Sequence, residues 1–146
     1  MNVFTALWHN HLLLNALCGW GTAQILKVII HAITNRKVDW SRLIGDGGMP
    51  SGHSATVCAL ATTAGLEYGL SSPHFGMAVV FGIIVMHDAT GVRLEAGKHA
   101  QALNELRSLI SRERNAEDNL KELLGHTPLQ VCVGALVGIA VALLLG

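Results

Sequence analysis

The sequence is poor in charge. Only 14% of its 146 residues are Asp, Glu, Lys or Arg, against roughly 25% in an ordinary soluble domain. Just over half are apolar, so the balance argues against a soluble globular domain. Net charge is lacking as well: ten basic and ten acidic residues cancel, and no nucleic acid or other polyanionic partner is expected. Cysteine is scarce. Cys18, Cys58 and Cys132 each lie in an apolar stretch without metal-ligand spacing, and they read as small hydrophobes rather than a disulfide framework. No basic residue precedes Lys27, so the charged n-region of a secretory signal is missing. There is no internal repeat and no low-complexity tract. The length allows one domain, 1–146.

What the chain does have is apolar runs and glycine, of which there are 16. Four stretches qualify as possible membrane spans: 11–33, 53–70, 75–92 and 128–146. The last carries no charge and is the strongest. The first holds Gln24, Lys27 and His31, which recur at helical spacing and form one polar stripe. The second contains Glu67, and the third ends in His87 and Asp88. Such residues are costly against lipid, so those faces must point inward. The expected fold is all-α, an integral membrane helical bundle of about four transmembrane helices.

The charges that remain are unevenly placed. All ten Lys and Arg residues fall between Lys27 and Arg42 or between Arg93 and Lys121. With four spans, both zones lie on one side of the membrane, and the positive-inside rule makes that side the cytoplasm. Both termini then lie outside. Between the third and fourth spans, about 97–126, Leu103, Leu106 and Ile110 keep helical spacing. A polar stretch follows before Leu120, Leu123 and Leu124 resume the apolar face. This reads as a short amphipathic segment at the cytoplasmic surface.

Two constellations carry possible chemistry. The first is Gly47-Gly48-Met49-Pro50-Ser51-Gly52-His53-Ser54, preceded by Gly45 and Asp46. Glycines let a backbone approach a ligand closely, and Ser51 or Ser54 can cap a helix whose free amides favour an anion. His53 could give a proton to a leaving oxygen. The plainer reading is a glycine-rich turn before a capped helix. The second constellation is His87-Asp88-Ala89-Thr90-Gly91-Val92-Arg93, followed by Lys98 and His99. Arg93 can grip a phosphoryl oxygen bidentately, and His99 can act as nucleophile or base. On an unbroken helix Arg93 and His99 point about 120° apart, so convergence requires a break at Thr90-Gly91 or Gly97. The plainer reading pairs Asp88 with a basic neighbour and leaves His99 at the interface. His87 and Asp88 are adjacent and point apart on a helix, so no metal site is expected.

Pro50-Ser51-Gly52-His53 matches the second signature of the type 2 phosphatidic acid phosphatase superfamily, which includes the vanadium haloperoxidases. The third signature of that superfamily reads Ser-Arg, five residues, His, three residues, Asp, and Arg93 and His99 have its Arg-to-His spacing. With Ala96-Gly97-Lys98 and Leu103-Asn104, the chain resembles the small divergent bacterial and plant branch over about 24–104. The resemblance implies a metal-independent lipid phosphate phosphatase in a bacterial inner or plastid-type membrane, with no cofactor and its site facing the cytoplasm. His99 would attack phosphorus and His53 would protonate the leaving alcohol, with Asp88 and Arg93 completing the catalytic set. Lys27, Arg42, Gly48, Ser51, Gly52 and Arg93 would hold the phosphate. The substrate would be a lipid phosphomonoester or diphosphate.

The departures are specific. Thr34, not Arg-Pro, stands seven places beyond Lys27; Val92 replaces the Ser before Arg93; Leu103 stands where the orienting Asp is expected. Two other readings therefore stay open: a phosphate-lipid binding or transport protein without covalent chemistry, and a structural membrane subunit. Four spans are also fewer than the six helices usual in the superfamily, which implies a homodimer.

Overall fold

The computed structural model describes residues 2–43, 47–110, 120 and 124–146. Gly45 and Asp46 of the glycine-rich run, and most of the expected polar part of the surface segment, lie outside the described residues. The described residues form six α-helices, a 3₁₀ turn at Trp40–Leu43 and no strand. The helices are α1 (Val3–Trp8), α2 (His11–Asn35), α3 (Gly52–Tyr68), α4 (Pro73–Thr90), α5 (Val92–Ile110) and α6 (Pro128–Leu145). The all-helical fold read from the sequence is thus the fold observed.

Local chemistry explains where the long helices begin. Asn10, Ser51, Ser72 and Thr127 stand at the N-caps of α2, α3, α4 and α6, and each side chain accepts a backbone N–H of the first turn. Such caps satisfy donors that would otherwise be orphaned. Pro73 and Pro128 follow two of them at the first helical position, where a missing N–H costs nothing. Gln130 closes a capping box with Thr127. Helix α2 ends where Arg36 turns left-handed, at φ 52°.

The neighbours of α3 define the topology. Toward α2, the hydrogen of Gly19 faces Ala55 and Ala59, and Asn15 donates to Thr63 at 3.1 Å. One sequence descends as the other rises, so the pair is antiparallel. Gly82 faces Val57 and Gly65 faces Phe75, which makes α4 antiparallel too. Gly134 faces Ser51 and Gly138 faces Ala55, so α6 runs parallel to α3. Gly134 and Gly138 thus form a small-xxx-small pair on α6 that packs against the α3 backbone. Gly65 and Gly69 on α3 have the same spacing but different parts. Gly65 meets Leu70 and Phe75 at the α3–α4 turn, while Gly69 caps α3 at φ +84° and meets nothing within 4 Å.

Helix α3 is consequently enclosed by α2, α4 and α6. Among the described residues, three helical stretches are long and apolar enough to cross a membrane: His11–Asn35, Pro73–Arg107 and Pro128–Leu145. The expectation of four spans is thus approximate. With 17 residues, α3 rises about 25 Å, short of a hydrocarbon core of about 30 Å. It lies among protein neighbours instead of lipid. Outward-facing Met77, Val80, Phe81, Ile83 and Ile84 on α4, and Leu136 and Leu143 on α6, are more than half exposed. That is the inverted apolar surface of a helix bundle that faces lipid.

The alternating directions bring the C-terminal ends of α2 and α4 and the N-terminal ends of α3 and α6 to one end of the bundle. Backbone bonds tie that end together: Ser51 N–H donates to Gln130 O at 3.0 Å, and His126 N–H donates to Ala89 O at 2.9 Å. At the opposite end His11 meets Glu67 at 2.6 Å and His74 stacks on Tyr68.

Candidate functional site

A cleft of about 340 Å³ opens at the tied end, between α2, α3 and α4. It has two kinds of wall. Trp20, Val57, Phe81 and Val85 give an apolar part, and Gln24, Lys27, His53, Thr56 and His126 a polar part, with Gly52 on its wall. Trp20 and Phe81 are about half exposed, at 46% and 53%, so the apolar part reaches the outer surface of the bundle between α2 and α4.

The polar part is built by the start of α3. Gly47 and Gly48 both take positive φ, 84° and 86°, a conformation that side chains other than glycine resist. This lays the loop over the stem of Lys27, whose Cγ and Cδ lie 3.5 Å from the position a Gly48 Cβ would take. Lys27 is only 4% exposed, so a cation is held inside the bundle. Ser51 is fully buried, and its Oγ accepts from Ser54 N at 3.3 Å and from Ser54 Oγ at 3.1 Å. The amides at the start of α3 and the helix dipole behind them add positive potential. No carboxylate lines the cleft among the described residues. An array of this sign favours an anion.

His53 and His126 meet in the cleft, with ring centroids 5.6 Å apart and planes inclined at 66°. His126 is 2% exposed. Its Nδ1 lies 3.3 Å from Gln130 Oε1, and its ring also bonds the backbone of Gly48. Burial pushes the His126 imidazole below its usual 6.5, with the nearby His53 and Lys27 acting the same way, while the bonds to Gln130 and Gly48 oppose the shift. Burial thus favours the neutral ring, and the two bonds orient it.

Of the residues expected from the sequence, Lys27, Gly48, Ser51, Gly52 and His53 are gathered here. Arg93 pairs with Asp88 at 2.8 Å across the α4–α5 junction, each side chain nearly half exposed. Neither lines the cleft. Helix α5 is continuous from Val92, so Arg93 and His99 share one unbroken helix, and both are exposed. Arg42 pairs with Asp39 at 3.5 Å on the turn after α2. His126 is the site residue that sequence reasoning passed over. Its signal was present: three residues separate His126 from Gln130, the His-to-Asp spacing of the third signature with glutamine in place of aspartate.

Lipid-facing helices packed around α3, with a polar cleft at one end, define an integral membrane protein. The chain belongs to the divergent PAP2 family, whose model matches residues 8–141. It is 43% identical over 148 aligned positions to the membrane protein YuiD of Bacillus subtilis strain 168, covering 93% of this chain and 94% of that protein. No solved structure matches it.

Proposed function

We propose that the protein is a membrane-embedded lipid phosphate phosphatase, with the phosphoryl group seated at the polar end of the cleft and the lipid chain leaving between α2 and α4. The observation that carries this reading is the cleft itself. One wall gathers Lys27, His53, His126 and the first amides of α3, and the other is apolar and reaches the lipid-facing surface. A lipid phosphate has the same two parts in the same order. Lys27, Arg36, Lys37, Arg42 and Arg93 lie toward that end of the bundle, which supports a site on the cytoplasmic side by the positive-inside rule.

In this reading His126 takes the nucleophile role that sequence spacing gave to His99. A ring whose Nδ1 is held by Gln130 would attack through Nε2. Nε2 forms a bond to phosphorus as the bond to the lipid alcohol breaks, and His53 delivers a proton to that oxygen. Water then attacks the phosphohistidine, His53 takes its proton, and phosphate leaves with His126 restored. Lys27 and the α3 amides stabilise charge on the equatorial oxygens.

The test is phosphate release by the purified protein in detergent from phosphatidic acid, phosphatidylglycerol phosphate and polyprenyl diphosphate. Wild type should release phosphate, and His53→Ala and His126→Ala should each lose at least about a hundredfold. His99→Ala should retain most activity. Folded wild-type protein that binds these lipids without releasing phosphate would leave a lipid-binding protein. An inactive His99→Ala beside an active His126→Ala would return the nucleophile to α5.

A further inference from the structure

Gln24 is a polar residue of the cleft to which the reaction above gives no task. It is 7% exposed, and its Oε1 is fully buried with no hydrogen-bond partner among the described residues. An unmet buried acceptor in a native interior calls for explanation, because its desolvation is uncompensated. Its position supplies one. Gln24 lines the cleft one helical turn from Lys27 toward Trp20, so it stands between the cationic end and the apolar end. Three residues of α2 correspond to about 4.5 Å along the helix. That is the scale of the step from a lipid's phosphorus to the next oxygen-bearing carbon of a glycerol backbone.

The missing partner must be a donor. A phosphate dianion held beside Lys27 has no proton to give, and an acyl chain has none. Among the parts of a lipid phosphate, the one that carries a donor is a hydroxyl on the alcohol. We infer that Gln24 is a specificity residue that accepts a hydrogen bond from a glycerol-type hydroxyl next to the phosphate. The site would thereby favour hydroxyl-bearing glycerophosphate lipids over polyprenyl phosphates, which lack such a group. Gly52 keeps the approach open: a Cβ there would stand 3.4 Å from the Trp20 indole and 3.7 Å from Gln24 Oε1. This inference rests on the reading of the cleft as a lipid phosphate site.

A matched pair of ligands isolates the hydroxyl. Hydrolysis-resistant phosphonate analogues of lysophosphatidic acid and of its 2-deoxy form share the acyl chain, the ester and the anionic head, and only the first carries a free glycerol hydroxyl. Binding of each to the full chain in non-ionic detergent is read by native mass spectrometry. Wild type should prefer the lysophosphatidic analogue by about tenfold, the ratio one hydrogen bond to an unmet buried acceptor supplies. In Gln24→Met and Gln24→Leu the ratio should fall to about one. Each ratio is taken within one preparation, so partial misfolding of a variant cancels. The inference is overturned by equal ratios in wild type and variants, by a wild type without preference, or by variants that weaken both ligands alike. Failure of the underlying reading looks different: wild type would then bind neither analogue, and Lys27→Met would change nothing.

Discussion

Gly134→Ala adds one methyl group at the closest approach of α6 to α3, and its effect can be worked out from the geometry. The new Cβ would overlap the carbonyl oxygen of Ser51 and lie 3.0 Å from both Ser51 Cβ and Ser51 N, where ordinary contact begins at 3.4 Å. Ser51 has little room to yield. Its carbonyl accepts from Ala55 N at 3.1 Å, and its N–H donates to Gln130 O at 3.0 Å. Helix α6 must therefore retreat, by on the order of 1 Å, with an overpacking cost of about 1–3 kcal/mol. Alanine's better helix propensity returns at most about 1 kcal/mol. The net loss is about 0–2 kcal/mol against wild type, up to roughly 8 °C in Tm for a chain of this size, and larger against an alanine placed where no contact opposes it. Two controls separate propensity from contact: a Cβ on Gly21 in α2 or Gly76 in α4 meets nothing within 4 Å. Gly21→Ala and Gly76→Ala should therefore match or exceed wild type. Thermal unfolding in detergent, followed by circular dichroism, reads all four proteins. Phosphate release should fall further than stability in Gly134→Ala, because α6 carries Gln130 and follows directly on His126. A Gly134→Ala protein as stable as Gly76→Ala would refute the parallel α3–α6 contact on which the site is built.

Two further predictions follow from other contacts. The His126 imidazole titrates below 6.5, so the neutral ring is favoured in the fold while the unfolded chain binds a proton first as pH falls. Stability is then fully present above about 6.5 and declines as pH falls toward the folded value. The acid limb of kcat/KM should lie below 6.5, and Gln130→Glu, which sets a carboxylate on Nδ1, should move it upward; a wild-type limb above 6.5 that Gln130→Glu leaves in place would contradict this. Asn15→Leu removes the buried bond to Thr63 and should cost about 0.6–1.7 kcal/mol, the range for hydrogen bonds between membrane helices, with no change in KM; an unchanged Tm would show the bond to be incidental.

The fold was legible where chemistry is local. Low charge, the apolar runs and the capping Ser51 point to the helical bundle and to the start of α3; Ser72 and Thr127 cap α4 and α6 by the same chemistry. What periodicity left open was which helix would be enclosed. Helix α3 is no more apolar than α4, yet α3 is the buried one, because Gly19 and Gly82, with Gly134 and Gly138, bring three neighbours against it. That is a property of pairs of helices, and one sequence read along its length does not display it. The α3 half of the site was legible for a related reason: Gly48, Ser51, Gly52 and His53 are contiguous and act through backbone conformation. Lys27 was also foreseen, since a lysine within an apolar run must turn inward.

His126 was hidden by distance along the chain. Between Arg93 and His126 the sequence makes an excursion that includes α5, and spacing arguments count every residue of it. In space the excursion closes on itself. A Cβ on Gly125 would run into the backbone of Arg93 and Leu94, and His126 N–H bonds Ala89 O just before the excursion begins. The chain therefore leaves the end of α4 and returns to it, so that the backbone of Arg93 and Leu94 meets Gly125, next to His126. His99 lies on the excursion, exposed on α5. A loop whose two ends already touch adds little to the definition of the site between them, because lengthening it changes closure entropy only slowly. The geometry that a phosphoryl group would meet is fixed by Ser51, His53 and Lys27 on one side and by the residue that re-enters at Gly125 on the other.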